Sequence, residues 1–165
     1  MRASPEIATA LWLVPDEVAA GPLREIIGGL AAKFEAPVFA PHLTLGLGPA
    51  ALLEKIESGP IELEVIGLDC ASRFTKSLFL RVALSRALAL LRDSLGFEAV
   101  DYDPHVSLLY AEMPLGEKEV VRATVPPVPF THVRFVAAEA VRCSLPIATA
   151  ADVNGWETIA RRPLL

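Results

Sequence analysis

Two heptapeptides of this chain share one pattern, Phe39-Ala40-Pro41-His42-Leu43-Thr44-Leu45 and Tyr102-Asp103-Pro104-His105-Val106-Ser107-Leu108, and they use two of its three histidines. Side chains alternate along a strand, so His42 and Thr44 share one face, and His105 and Ser107 share a face of their own strand. If the two strands face each other, the four side chains converge in one cleft. Unperturbed imidazole titrates at about 6.5, so two of them across a phosphodiester supply one general base and one general acid near neutral pH. The two hydroxyls can hydrogen-bond non-bridging phosphate oxygens and support the charge that grows in the transition state. This chemistry needs no metal.

Other residues offer less. His132 lies in a strand-like stretch without the flanking pattern, which favours a structural or surface role. Asp101 and Asp103 precede His105 by even steps and could orient it or bind a metal, yet Asp101-Tyr102-Asp103-Pro104 reads better as turn chemistry. Arg73 and Lys76 are within sequence reach of a phosphate but read as a solvated strand end. Gly46-Leu47-Gly48 lacks the full G-x-G-x-x-G context of a dinucleotide site, and the HExxH, GxSxG and Walker patterns are absent. Cys70 and Cys143 are the only cysteines and stand in no CxxC or Cys/His cluster. Buried free thiols are expected, not a disulfide framework or a zinc site.

The elements that must position these residues fall into two similar sets. A short apolar run at 8–14 ends at Pro15 and predicts a strand, and 16–34 carries Leu23, Ile26, Ile27, Leu30 and Ala31 at helical spacing. A strand at 38–47, a short helix at 50–57 closed by Gly59-Pro60 and a strand at 61–70 follow. The second set has a strand at 78–84, an amphipathic helix at 85–95 stopped by Gly96, a strand at 106–110 and a short helix at 117–124. A Pro-rich turn at 126–129, a strand at 131–143 and an extra strand at 156–162 complete it. Each half reads β-α-β-α-β. No flexible linker separates them, so they are expected to be two packed lobes of one domain, about 1–72 and about 73–165, with the last strand open to either lobe.

Composition fits one such unit. The chain has 165 residues, 53% of them hydrophobic and 21% charged, and a mean hydropathy of +0.44, which excludes a disordered chain. Fifteen basic against twenty acidic residues give a net charge of −5 and a pI near 5.2. That is the wrong sign for holding long nucleic acid by neutralising phosphates, though a small anionic ligand in a local pocket is compatible with it. The uncharged stretch 36–53 contains Pro37, Pro41, Gly46, Gly48 and Pro49, so it cannot run as one transmembrane helix. The first fifteen residues match a signal peptide poorly, and a cytoplasmic protein is expected.

The segments His42-Leu43-Thr44-Leu45 and His105-Val106-Ser107-Leu108 resemble the paired His-x-Thr/Ser-x motifs of the 2H phosphoesterase superfamily. The proline before each histidine, and Leu109-Tyr110 after the second motif, are more similar to its cyclic phosphodiesterase branch. Leu11-Trp12-Leu13-Val14-Pro15 and the strand at 77–82 resemble that branch too, so the likeness runs from about 11 to 156. The resemblance implies a bilobal α+β fold, two pseudo-symmetric lobes whose antiparallel sheets frame a water-filled cleft. It also implies metal-independent opening of a small ribose cyclic phosphate, either ADP-ribose 1″,2″-cyclic phosphate or a nucleoside 2′,3′-cyclic phosphate.

Carried over by motif position, His42 and His105 match the catalytic pair and Thr44 and Ser107 the phosphate-binding hydroxyls. Trp12 and Tyr110 match aromatic positions that flank a base or ribose, although inward aromatics are as often core. Pseudo-symmetry makes the two ends of the cleft alike and leaves base and acid open. The assignment leaned to is His105 activating water and His42 protonating the leaving oxygen. An RNA 2′,5′-phosphodiesterase or ligase-like enzyme acting on RNA ends is the alternative within the superfamily, and the acidic pI opposes it. A non-catalytic nucleotide-binding module is the alternative of another class, opposed by the presence of all four motif side chains. The expected partner is a small cyclic-phosphate nucleotide, with no cofactor, no metal, no membrane, no extended nucleic acid and a monomeric chain.

Overall fold

A computed structural model describes residues 4–165. In order, the elements are β1 (Glu6–Pro15), α1 (Glu17–Phe34), β2 (Leu43–Leu47), β3 (Ile61–Asp69), β4 (Leu78–Val82), α2 (Arg86–Ser94), β5 (His105–Leu109), α3 (Leu115–Thr124), β6 (His132–Leu145), α4 (Ala150–Asn154) and β7 (Glu157–Pro163). Short 3₁₀ turns occupy Ala50–Lys55 and Phe74–Lys76.

The local signals explain most of these boundaries. Asp16 caps α1 by accepting the Ala19 N–H at 3.1 Å, and Glu35 in the left-handed region at φ 51° closes it. Between them Ala19, Leu23, Ile27, Leu30 and Ala31 form the buried face that helical spacing predicts. The strand expected from residue 38 begins only at Leu43, because Pro37 and Pro41 have no N–H to give a ladder. Where a short helix was expected at 50–57, Ala50–Lys55 form a 3₁₀ turn. One element went unpredicted: α4, whose Thr149–Asp152 capping box is complete.

All strand pairs are antiparallel, in the order β1-β2-β5-β4-β3-β6-β7, and β1 also pairs with β6. The strands do not pair strictly within their own halves of the chain. β3 comes from the first half but pairs with β4 and with the first residues of β6, where Leu63 faces Val133. The rest of β6 lies between β1 and β7, with Leu11 opposite Ala140 and Arg161 opposite Glu139. Its 14 residues let β6 serve both groups of strands; the next longest, β1, has 10.

Alternation along β1 divides the interior in two. Leu11 and Leu13 enter the main core with Leu43, Val106, Ala138 and Ala140, while Ala10 and Trp12 turn to the other face and pack with Val141 and Cys143. That second, smaller cluster underlies the site. Among the described residues, no helix is long and apolar enough to cross a membrane.

Candidate active site

β2 and β5 meet through one pairing, Leu43 opposite Val106, both fully buried. Strand alternation then sends the neighbours of each, His42 and Thr44 on one side and His105 and Ser107 on the other, to the opposite face. There all four line a single cavity of ≈ 220 Å³, together with Trp12 and Tyr110. Every site residue expected from the sequence therefore reaches one place.

The two histidines are held alike. His42 Nδ1 lies 2.7 Å from the Ala40 carbonyl and His105 Nδ1 lies 2.8 Å from the Asp103 carbonyl. Each bond reaches back two residues over a proline, Pro41 or Pro104, which fixes the local backbone and has no N–H of its own. A carbonyl accepts only, so Nδ1 carries the proton in both rings and Nε2 is left as the basic nitrogen.

Their surroundings differ. His42 is buried and stacks on Trp12, ring centroids 3.5 Å apart at 13°, with Trp156 edge-on at 5.6 Å. Burial pushes its pKa down to about 4, against the opposing effect of the Ala40 carbonyl, and the charge of His105 lowers it further. His105 is only partly buried. Its pKa is also lowered, first by burial, while the Asp103 carbonyl and carboxylate raise it and Lys76 and Arg81 lower it.

Thr44 is exposed in the cavity and sits across from Trp12 in the β1–β2 ladder, whereas Ser107 is buried opposite Phe79. Tyr110 shares a hydrogen bond with Ser107, and burial, only partly offset by that bond, raises its phenol to about 12. Trp12 and Tyr110 are both core and lining. Trp12 belongs to the small cluster under the site, and Tyr110 packs on Phe39 at 4.5 Å.

Asp103 does more than make a turn. Its carboxylate accepts from Lys76 Nζ at 3.0 Å and from Arg81 Nε and Nη2 at 3.0 and 2.9 Å, and Arg81 also pairs with Asp69. Arg81 foremost holds the Asp103 carboxyl well below the usual carboxylate range. Arg81 in turn faces His105 across the β4–β5 ladder, so the backbone that accepts the His105 proton is anchored by two cations. Asp101, at φ 58°, is a turn residue as expected. His132 is exposed at the start of β6 beside Thr131, 3.0 Å away. A Cβ on Gly46 would lie 2.7 Å from the Phe97 ring, so packing explains that glycine.

The sequence reading missed Trp156, which lines the cavity with its ring edge-on to Trp12 at 5.2 Å and to Tyr110 at 5.5 Å. Its Nε1 is the one buried side-chain nitrogen or oxygen among the described residues without a hydrogen-bond partner. No local pattern marks it, because only the β6–β7 pairing brings it beside β1. Arg73 and Thr75, near and in the second 3₁₀ turn, also reach the cavity. Among the described residues, no group of three or more His, Cys, Asp or Glu could hold a metal ion, and both cysteines are free.

No known family model and no curated protein matches the chain. Solved structures do. Escherichia coli LigT complexed with 3′-AMP superposes with a TM-score of 0.59 at 18% identity, over 96% of this chain and 98% of that one. LigT complexed with phosphate gives 0.56 at 20% identity over 98% and 99%, and TT0787 of Thermus thermophilus gives 0.58 at 17% over 95% and 97%. The chain has the LigT fold. It is an α+β architecture, as the sequence led one to expect. In that LigT-like frame, the cavity offers two basic ring nitrogens and two hydroxyls around a space free of carboxylates.

Proposed function

We propose that this chain is a metal-independent cyclic phosphodiesterase that hydrolyses a small ribose cyclic phosphate by two-histidine acid–base catalysis. The observation that carries the reading is the matched anchoring of His42 and His105, each through Nδ1 to the carbonyl two residues earlier, in one cavity with Thr44 and Ser107. Anchored this way, each ring has Nε2 available to a reactant and cannot rotate freely. The hydroxyls of Thr44 and Ser107 hydrogen-bond the non-bridging oxygens as charge accumulates on phosphorus.

One histidine must be neutral and the other protonated. Burial favours a neutral His42, with its pKa near 4, over a neutral His105 in its wetter position. The microstate with His42 as base and His105 as acid is therefore the more populated one, the reverse of the assignment leaned to from sequence. In this scheme His42 Nε2 takes a proton from water as its oxygen attacks phosphorus. The bond from phosphorus to one ribose oxygen breaks, and His105 Nε2–H protonates that oxygen. A ribose phosphomonoester leaves, and exchange with solvent restores the two rings.

A screen of ADP-ribose 1″,2″-cyclic phosphate, nucleoside 2′,3′-cyclic phosphates and 2′,5′-linked RNA oligomers, with products identified by NMR, tests the reading. Turnover of a small cyclic phosphate to one monoester is the expected result. Turnover of the RNA oligomers alone would move the function to RNA ends, and binding without turnover would make the chain a nucleotide-binding module.

A further inference from the structure

The cavity is positively biased in a protein that is negative overall. The chain carries a net charge of −5, yet Arg73 and Lys76 line the cavity and no Asp or Glu does. Lys76 is already committed, because it joins Asp103, Arg81 and Asp69 in a set of two cations and two anions that is neutral as a whole. Arg73 is the charge left over. Its guanidinium makes no hydrogen bond or ion pair among the described residues, and only its backbone carbonyl is engaged.

That carbonyl is engaged by an expensive device. Lys118, 1% exposed, donates through Nζ to the carbonyls of Ala71 at 2.9 Å and Arg73 at 3.2 Å, and makes no ion pair among the described residues. Withdrawing an ammonium from water against carbonyls alone is unfavourable, so the turn it holds is fixed at a cost to stability. Fully buried Ser77 secures the same turn, its Oγ 2.8 Å from the carbonyls of both Phe74 and Ala111. A cation on a pinned turn loses little freedom when it binds an anion.

The cavity itself, at ≈ 220 Å³, is smaller than the ~300–1,000 Å³ usual for a whole ligand. A ribose cyclic phosphate fills it, and the remainder of a nucleotide lies at the mouth, where Arg73 is exposed. We infer that Arg73 binds a second phosphate of the substrate, so that the enzyme favours small nucleotides carrying a phosphate beyond the reacting one. The inference rests on the cyclic phosphodiesterase reading for the word substrate, and the guanidinium fork suits the phosphate geometry.

The test measures binding and turnover separately. Calorimetry at fixed ionic strength compares adenosine 3′,5′-bisphosphate with adenosine 3′-monophosphate on the wild type, Arg73→Gln and Arg73→Lys. Kinetics compare adenosine 2′,3′-cyclic phosphate with and without a 5′-phosphate. The wild type is expected to bind the bisphosphate about 10- to 100-fold more tightly, the ratio to fall to about one in Arg73→Gln, and part of it to survive in Arg73→Lys. No preference in the wild type, or equal weakening of both ligands in Arg73→Gln, overturns the inference. A wild type that discriminates in binding but hydrolyses neither cyclic phosphate keeps the Arg73 site and discards the hydrolase reading.

Discussion

The Tyr102 hydroxyl donates to the Thr44 carbonyl at 2.8 Å, and this bond ties the first residue of the second motif to β2, the strand of the first. Arg92 reinforces it, its guanidinium stacked 3.5 Å over the Tyr102 ring while Nε donates to the Leu45 carbonyl at 3.0 Å. β2 and β5 share only the Leu43–Val106 pairing, so these side-chain bonds set the spacing of the two histidines where the ladder is too short to do so.

Tyr102→Phe should therefore cost more in rate than in stability. The lost hydrogen bond is worth about 0.5–1.5 kcal/mol in denaturant unfolding. A shift in the relative position of two catalytic groups, by contrast, can lower kcat by about tenfold or more. Equal, small effects on both would show that the ladder alone positions the motifs.

The pH dependence of stability has a defined sign. His42 has a folded pKa near 4 against about 6.5 in an unfolded chain, so between these values the unfolded state binds more protons. Stability from this residue is fully present above pH 6.5 and is lost as pH falls towards 4, by about 3 kcal/mol. His105, also lowered, adds to the loss in the same direction. His42→Gln should flatten the wild-type slope of unfolding free energy in that window. An unchanged slope would place the buried imidazole in a wetter setting than the Trp12 stack provides.

The motif residues were legible because their constraint is local. A proline fixes the backbone before each histidine, and period-two alternation does the rest, so positions 42, 44, 105 and 107 could be assigned to one cleft before any fold was known. Trp12 and Tyr110 were legible only as aromatics of uncertain role, and the structure gives each a place in both core and cavity. Trp156 and Arg73 carry no such signature. Trp156 depends on β7 finding β6, and Arg73, which reads from sequence as a solvated strand end, on a turn pinned by the buried Lys118. The exchange of β3 towards β4 and β6 was equally hidden, since an apolar strand does not announce which edges it will join.

Activity should survive chelation. The catalytic scheme draws only on imidazoles and hydroxyls, so extensive dialysis against EDTA is expected to leave kcat/KM within twofold, with no gain on adding Mg²⁺, Mn²⁺ or Zn²⁺. Loss on chelation with rescue by one of these ions would replace the acid–base scheme with a metal-assisted one.

The hydroxyls should matter less than the rings. Thr44→Val and Ser107→Ala each remove a neutral donor to phosphate, worth roughly 1–3 kcal/mol in the transition state, with part of the loss in KM. Ser107→Ala also frees the Tyr110 hydroxyl from its neighbour, so it should show a larger stability loss than Thr44→Val at the exposed position. If Thr44→Val instead matches a histidine variant in its loss of kcat, the division of labour between rings and hydroxyls is wrong.

The assignment of base and acid can be decided by changing the leaving group. On a cyclic phosphate the departing ribose oxygen is strongly basic and needs a proton, so His42→Ala and His105→Ala should each lose about 10²–10⁴ in kcat. A nucleoside p-nitrophenyl phosphodiester releases p-nitrophenolate, a stable anion that needs no acid, while water attack still needs a base. With His42 as base, His42→Ala should stay severely impaired on the aryl ester and His105→Ala should recover most of the wild-type rate. The pH profile should change with it. A bell-shaped kcat/KM on the cyclic phosphate, whose limbs belong to the coupled pair, becomes a single rise with pH on the aryl ester. Recovery by His42→Ala instead would assign the acid to the buried ring. A bound phosphate anion would then have to raise its pKa far above the value near 4 that burial sets without ligand.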